Sequence, residues 1–175
     1  MWQSNVPGFN ELLESARQSA VHLEMRDSYG VGEEAADFER WKVTGVQNLD
    51  PESDHWKPWL DLISGTVARG VVVRRARIVS EPVTDYIRFE HASTFLTEQA
   101  GEESRWLTRS KASDIALPGN DFWLIDSKAV RFNLFSGDGA GLEGQYTGDP
   151  AVARLCATAF EAVWERAVPY GEFKV

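Results

Sequence analysis

The chain has 175 residues, 43% of them hydrophobic and 26% charged, with seven tryptophans. One folded domain spanning 1–175 with a real core is expected, and a disordered chain is excluded. The formal net charge of −9 repels phosphate backbones, so direct nucleic-acid binding would need a strong local basic patch, whereas a basic protein partner is attracted.

Cys156 is the single cysteine, so no internal disulfide can form, which fits a reducing compartment. The opening "MWQSNVPGFN" has no basic stretch followed by an apolar one, and no apolar run reaches membrane-spanning length. A cytoplasmic protein with no membrane contact is expected.

"FNELLESARQSA" places Phe9, Leu12, Leu13 and Ala16 at helical spacing. "AVHLEMRDSY" then alternates, with Val21, Leu23 and Met25 to one side and His22, Glu24 and Arg26 to the other, the pattern of a half-buried strand. "EEAADFERWKVTG" reads as a helix closed by Gly45. "DPESDHWKPWLDLISGTVARG" reads as another, capped by Ser53 or Asp54, with Trp59, Leu62, Ile63 and Val67 as its inward stripe. "VVVRRARIV" is the strongest strand by its β-branched content. Pro82 restarts the chain into a helix through "VTDYIRFEHASTFLTEQ", with Val83, Ile87 and Phe95 inward.

"ESRWLTR" is a short strand, and "NDFWLIDSKAVRFNLFS" is two strands joined by a tight turn at Asp126-Ser127-Lys128. "SGDGAGLEGQYTG" is a glycine-rich connection around a further strand. The last helix has Asp149 as cap and Pro150 at its first position, with Val152, Leu155, Ala159, Phe160 and Val163 on its apolar face. Helices between strands followed by late hairpins indicate an α/β domain, with α+β as the alternative, built on one central mixed sheet and closed by a long C-terminal helix.

Catalytic templates fail. There is no phosphate loop, dinucleotide fingerprint, HExxH or nucleophile elbow. Three histidines and one cysteine do not supply a zinc site of standard spacing, so neither metal nor cofactor is expected. Cys156 reads as a buried, inert thiol. Trp59, Trp123 and Trp164 fall on apolar stripes, while Trp2, Trp56 and Trp106 are free to act as partner anchors.

The chemistry concentrates in "RGVVVRRARIVSEPVTDYIRFEH". Alternation puts Val73, Arg75, Arg77 and Val79 on one strand face and Val72, Arg74, Ala76 and Ile78 on the other. At least one arginine therefore meets the core and must find an anion there. The candidates are Glu81, Asp85 and Glu90, with Glu24 if its strand lies alongside. Asp85, Arg88 and His91 share roughly one helical face, and Glu81 marks a strand end where α/β sheets bind ligands.

Two outcomes follow. The charges form a structural network, or they form a ligand-binding pocket of Glu24, Arg26, Arg75, Arg77, Glu81, Asp85, Arg88 and His91, with Asn120 and Asp121 of "LPGNDFWLID". An arginine facing a cavity without a carboxylate would mark the site. No residue is singled out as catalytic, although Glu81 or Glu24 with His91 would serve as acid and base in an enzyme.

"HLEMRDSY", "WKPWLDL", "RGVVVRRARIVSEPVTDYIRFEH", "LPGNDFWLID", "FSGDG" and "CATAFEAVWERAVPYGEF" together resemble an actinobacterial, Streptomyces-type family known as a domain of unknown function. Its members are often encoded beside helix-turn-helix regulators. The resemblance implies a regulatory partnership with such a DNA-binding protein and, with the charge cluster, a small anionic ligand. The order of elements also resembles phospholipase-D-like effector domains. The HxKxxxxD signature is missing, however: His91 is followed by Ala92 and Ser93, His22 leads to Glu24, and His55-Trp56-Lys57 is not completed by the aspartate. The expected function is thus a non-enzymatic partner-binding module. The alternatives are a hydrolase or transferase on a small substrate, and a structural homodimer.

Overall fold

The computed structural model describes residues 2–30 and 32–175. Their five α-helices and eight strands run in the order β1 (Trp2–Gln3), α1 (Phe9–Ser15), β2 (Ser19–Glu24), α2 (Gly32–Thr44), α3 (Lys57–Ala68), β3 (Val72–Val79), α4 (Asp85–Gln99), β4 (Glu103–Thr108), β5 (Phe122–Ile125), β6 (Ala129–Phe135), β7 (Gly141–Thr147), α5 (Pro150–Arg166) and β8 (Val168–Pro169).

Several boundaries follow from local chemistry. Asp149 accepts the Ala151 N–H at 2.8 Å to start α5, and Thr84 accepts the Ile87 N–H at 3.2 Å to start α4. Asp126 and Ser127 both take positive φ, 51° and 55°, in the tight turn Asp126-Ser127-Lys128 between β5 and β6, where the Lys128 N–H donates to the Ile125 carbonyl at 2.9 Å. The Asp126 carboxylate also accepts the N–H groups of Arg17, Gln18 and Ser19, which ties that turn to the entry of β2. In α3 the capping residue is Trp56, not Ser53 or Asp54, and it makes no side-chain cap. Ser53 and Asp54 lie in a preceding turn, where the Ser53 carbonyl takes the Lys57 N–H at 2.9 Å.

The strands form one mixed sheet in the order β1-β7-β6-β5-β2-β3-β4-β8. β2, β3 and β4 are parallel neighbours, with α2–α3 and α4 in the connections between them. The hairpin strands β5, β6 and β7 add on antiparallel. The chain is therefore an α/β domain, as expected from the alternation of elements.

α5 covers one sheet face, with Phe160 and Val163 against Leu23, Ala76, Ile78 and Leu124. α1 and α3 cover the other beside Trp123, and α4 lies beyond them on Val79 and Trp106. Each fully buried Leu, Ile or Phe contributes about 1.5–3 kcal/mol here.

Three expectations are corrected by this two-sided cover. β2 is buried on both faces, not one. Trp106 is 1% exposed and belongs to the core, since α4 and the C-terminal Phe173 close over it. On α5, Ala159, Phe160 and Val163 are buried and Val152 packs on the core as expected, but Leu155 is exposed and Ala153 and Cys156 turn inward beside them.

Candidate functional site

The parallel pairing of β2 and β3 sets His22 beside Arg75 and Glu24 beside Arg77. All four side chains project to the face covered by α1–α4. Glu24 is the hub. Its Oε1 accepts from Arg75 Nη1 at 2.8 Å, and its Oε2 lies 2.5 Å from Arg77 Nη2. Arg75 is held on its far side by Glu102, at 2.9 Å from Nε, and Arg77 by Glu90 of α4 at 2.7 Å. The guanidinium of Arg77 also lies 5.1 Å from the Trp106 ring centre, and His22 stacks on Trp123 with centroids 4.4 Å apart. On the opposite face Arg74 pairs with Glu161 of α5 at 2.6 Å and lies over Phe160 and Trp164.

Beside this cluster is a cavity of about 310 Å³ lined by His22, Glu24, Arg75 and Glu90 together with Tyr29, Glu34, Tyr86, Asp121, Arg131 and Asn133. An adjoining hollow of about 380 Å³, walled by Trp56, Trp59 and Trp123, shares His22, Arg75, Glu34 and Glu90 with it. Glu34 arrives because α2 packs on α4 through Phe38 and Trp41 against Phe89, with ring centres 5.5 and 5.8 Å apart. Glu34 accepts a short hydrogen bond from the Tyr86 hydroxyl. Asp121 accepts another from Tyr29 and also takes the Met25 N–H at 2.9 Å.

Arg131, on β6, differs from Arg75 and Arg77. Its Nε donates to the Pro7 carbonyl at 3.1 Å, its Nη1 donates to Asn133, and its guanidinium lies 4.1 Å over the Phe9 ring. It has no carboxylate partner among the described residues, and Nη2 has no protein acceptor there. Gly144 on β7 gives it room: a Cβ at that position would stand 2.6 Å from the Phe132 carbonyl oxygen and 3.5 Å from the guanidinium carbon.

Burial is the largest influence on the His22 pKa and lowers it to about 3; Glu24 opposes this, while Arg75, Arg77 and Arg131 reinforce it. His22 is therefore neutral at pH 7. Burial alone would raise Glu24, but Arg77 and Arg75 outweigh it and hold the carboxyl at about 2. Glu34 is pushed up to about 8 by burial and by Glu90, and Asp121 to about 6, first by burial. Burial pulls the Arg131 guanidinium down, with no acidic neighbour to raise it. The site thus holds a charge-paired Arg–Glu cluster, in which Arg77 Nε and Nη1 have no hydrogen-bond partner among the described residues, beside two reluctant acids and one arginine without a carboxylate.

Comparison with known families matches residues 7–175 to the family described as Domain of unknown function (DUF6879). The chain belongs to the DUF6879 family. Every residue of the cavity wall lies inside the matched span, so the cavity is built wholly from the DUF6879 domain. The chain matches no curated protein.

Of the residues nominated from sequence, this DUF6879 domain brings Glu24, Arg75, Arg77 and Asp121 to the site. The others lie elsewhere. Arg26 is outside the cavity wall, its guanidinium 5.0 Å from the centre of the Phe135 ring. Glu81 is exposed beyond the end of β3, in the cis Glu81–Pro82 peptide. Asp85 and Arg88 pair with each other on the outer surface of α4 at 2.9 Å. His91 lies against Trp106 and Tyr170, with Nε2 3.0 Å from the Tyr170 carbonyl oxygen. Asn120 is an exposed loop residue. Three of these are on α4, where Glu90 faces Arg77 and Tyr86 lines the cavity one turn earlier, while Asp85 and Arg88 are exposed and His91 turns toward Tyr170.

Sequence reasoning missed Glu102, Glu34, Tyr29, Tyr86, Arg131 and Asn133. A signal existed for two of them. In "AVRFNLF", Arg131 and Asn133 alternate with Val130, Phe132 and Leu134, which puts an arginine and an amide on one strand face. Glu102 sits between a helix and a strand, and Glu34 in an acidic helix start, where carboxylates are ordinary.

Proposed function

We propose that this domain is a non-enzymatic sensor that binds a small organic anion in the 310 Å³ cavity and acts through a DNA-binding helix-turn-helix partner. The carrying observation is Arg131, a partly desolvated guanidinium on the cavity wall with no carboxylate among the described residues to answer it. Arg75 and Arg77 are already bound by Glu24, Glu90 and Glu102, so anion recognition falls to Arg131 through the planar fork that suits a carboxylate.

The acid–base alternative finds less support. His91 is bound to a backbone carbonyl away from the cavity. His22, which does line it, stays neutral to about pH 3 and so is poorly matched to proton transfer near pH 7.

The partner half of the reading rests on the net charge of −9, which favours a basic protein surface, and on the sequence resemblance to proteins encoded beside such regulators. It also accommodates the likeness to phospholipase-D-like effector domains, a scaffold used for sensing where HxKxxxxD is missing.

Two experiments test it. Calorimetric titration with a panel of small carboxylates should find a binder, and Arg131→Gln should weaken it at least about tenfold; equal binding by the variant overturns the assignment. Capture from native lysate should enrich a helix-turn-helix regulator whose DNA affinity changes on mixing with the domain. Enrichment of none, with no change in DNA affinity, refutes the partnership.

A further inference from the structure

The charges of the cavity do not balance, and the imbalance has two ends. Among the described residues four carboxylates line it: Glu24, Glu34, Glu90 and Asp121. Glu24 and Glu90 are answered by Arg75 and Arg77. Glu34 and Asp121 have no cation at ion-pair distance among the described residues; their hydrogen-bond partners are the hydroxyls of Tyr86 and Tyr29 and one backbone N–H. These two acids share one end of the cavity, because the rings of Tyr29 and Tyr86 that hold them are 5.9 Å apart. Phe135 stands 5.1 Å from Tyr29 on the same wall. Arg131 has the reverse deficit.

A third group points to a ligand independently. His22 lines the cavity at 6% exposure, and its Nδ1, 3.7 Å from Glu24 Oε1 and so beyond hydrogen-bond distance, has no hydrogen-bond partner among the described residues. Buried polar groups in native proteins nearly always have one, in the protein or in something bound to it.

We propose that the ligand is a zwitterion of the amino-acid class, a free amino acid or dipeptide, with its carboxylate on Arg131 and its ammonium against Glu34 and Asp121. This deepens the anion reading above and rests on it. Carboxylates set among aromatic rings are the usual surroundings of a bound ammonium, which gains from both ionic and cation–π attraction. The volume of 310 Å³ equals about ten waters at their liquid share, enough for a molecule of this size. Burial holds Glu34 and Asp121 above the ordinary carboxylate range; an arriving ammonium supplies the counter-charge that lets them ionise. A simple carboxylate would answer Arg131 and leave that acidic end unmatched.

The test is a matched set of probes titrated calorimetrically into the intact chain: the free amino acids and glycyl dipeptides, each beside its N-acetyl and C-amide form. At least one free form is expected to bind, with both blocked forms at least about tenfold weaker. Glu34→Gln should weaken the free form and leave the N-acetyl form unchanged, while Arg131→Gln should weaken both; melting curves confirm that each variant is folded. If N-acetyl forms bind as well as free ones, the zwitterion is refuted and the anion reading stands. If amides bind as well as acids, the role of Arg131 falls. If neither the zwitterions nor the carboxylate panel binds, both readings fall together. The comparison on wild type alone decides the matter should a variant not fold.

Discussion

Glu24→Gln tests the central cluster most directly. The substitution keeps shape and removes the charge shared by Arg75 and Arg77. Glu24 is 7% exposed, and its carboxyl is lowered from 4.5 to about 2, which corresponds to roughly 3 kcal/mol of folding stability at neutral pH. Removing one member of a buried ion pair typically costs about 3–5 kcal/mol. The lower end applies here, because Arg75 keeps Glu102 and Arg77 keeps Glu90.

Urea denaturation at pH 7 should therefore show a midpoint about 1–2 M below wild type, for a slope of roughly 2 kcal/mol per M. Because the folded pKa is depressed, the contribution is complete above pH 4.5 and is lost as the pH falls through about 2, so the gap between wild type and variant must close over that window. Glu161→Gln is the control. Its Arg74 pair has a carboxylate side chain 53% exposed and should cost less than about 1 kcal/mol. A Glu24→Gln cost near that of the control, or a gap that does not change with pH, would refute the reasoning.

The remaining predictions concern neighbouring groups. Glu34 binds its proton more tightly folded than unfolded, so wild type loses stability as pH rises from 4.5 through about 8; Glu34→Gln, which keeps an acceptor for Tyr86, should gain on the order of 3 kcal/mol over wild type above pH 8, after discount for partial exposure, and match it near pH 4 in thermal melts. His22 has the opposite sign: it is neutral when folded, and wild type should lose roughly 2–3 kcal/mol between pH 6.5 and 4.5 as the unfolded chain takes up a proton that folded His22, with its pKa near 3, refuses. His22→Asn should remove that slope while losing about 1 kcal/mol of stacking on Trp123 at pH 7. Cys156 is buried with its thiol pushed up to about 12, so it should not react with an aromatic disulfide reagent until the chain is denatured; reaction in the native state would contradict the packing of α5. Gly144→Ala should cost about 1–3 kcal/mol by overpacking against the Phe132 carbonyl, and the displaced Arg131 should bind carboxylate probes more weakly in calorimetry.

The arginine strand shows where a local reading succeeds. Period-2 alternation alone separated Arg75 and Arg77 from Arg74, and the same rule put His22 and Glu24 together on β2. Burial of an arginine demanded an anion, and two of the nominated acids, Glu24 and Glu90, answer. The acids that do not answer, Glu81 and Asp85, were nominated by nearness in sequence. Nearness is a poor guide, because Glu81 lies exposed beside Pro82 and, in the first turn of α4, Asp85 faces solvent while Tyr86 and Ile87 turn inward. Glu102, which holds Arg75, comes from the far end of that helix and carries no periodic mark.

The division has a physical cause. Alternation, capping and turn chemistry act over a few residues, so the sequence by itself determined the main helices, the principal strands, the Asp126-Ser127-Lys128 turn and the side of each strand on which its charges lie. The cavity depends on strand order and helix docking. β5 and β6 insert beside β2 and bring Asp121, Arg131 and Asn133 to a site begun by β2 and β3, and α2 docks on α4 to add Glu34 and Tyr86. Those choices are made by the summed burial of faces remote in sequence, which no local pattern encodes. Only the tertiary structure decided that Arg75 and Arg77 would be answered from within the protein and that Arg131 would line the cavity with no carboxylate partner among the described residues.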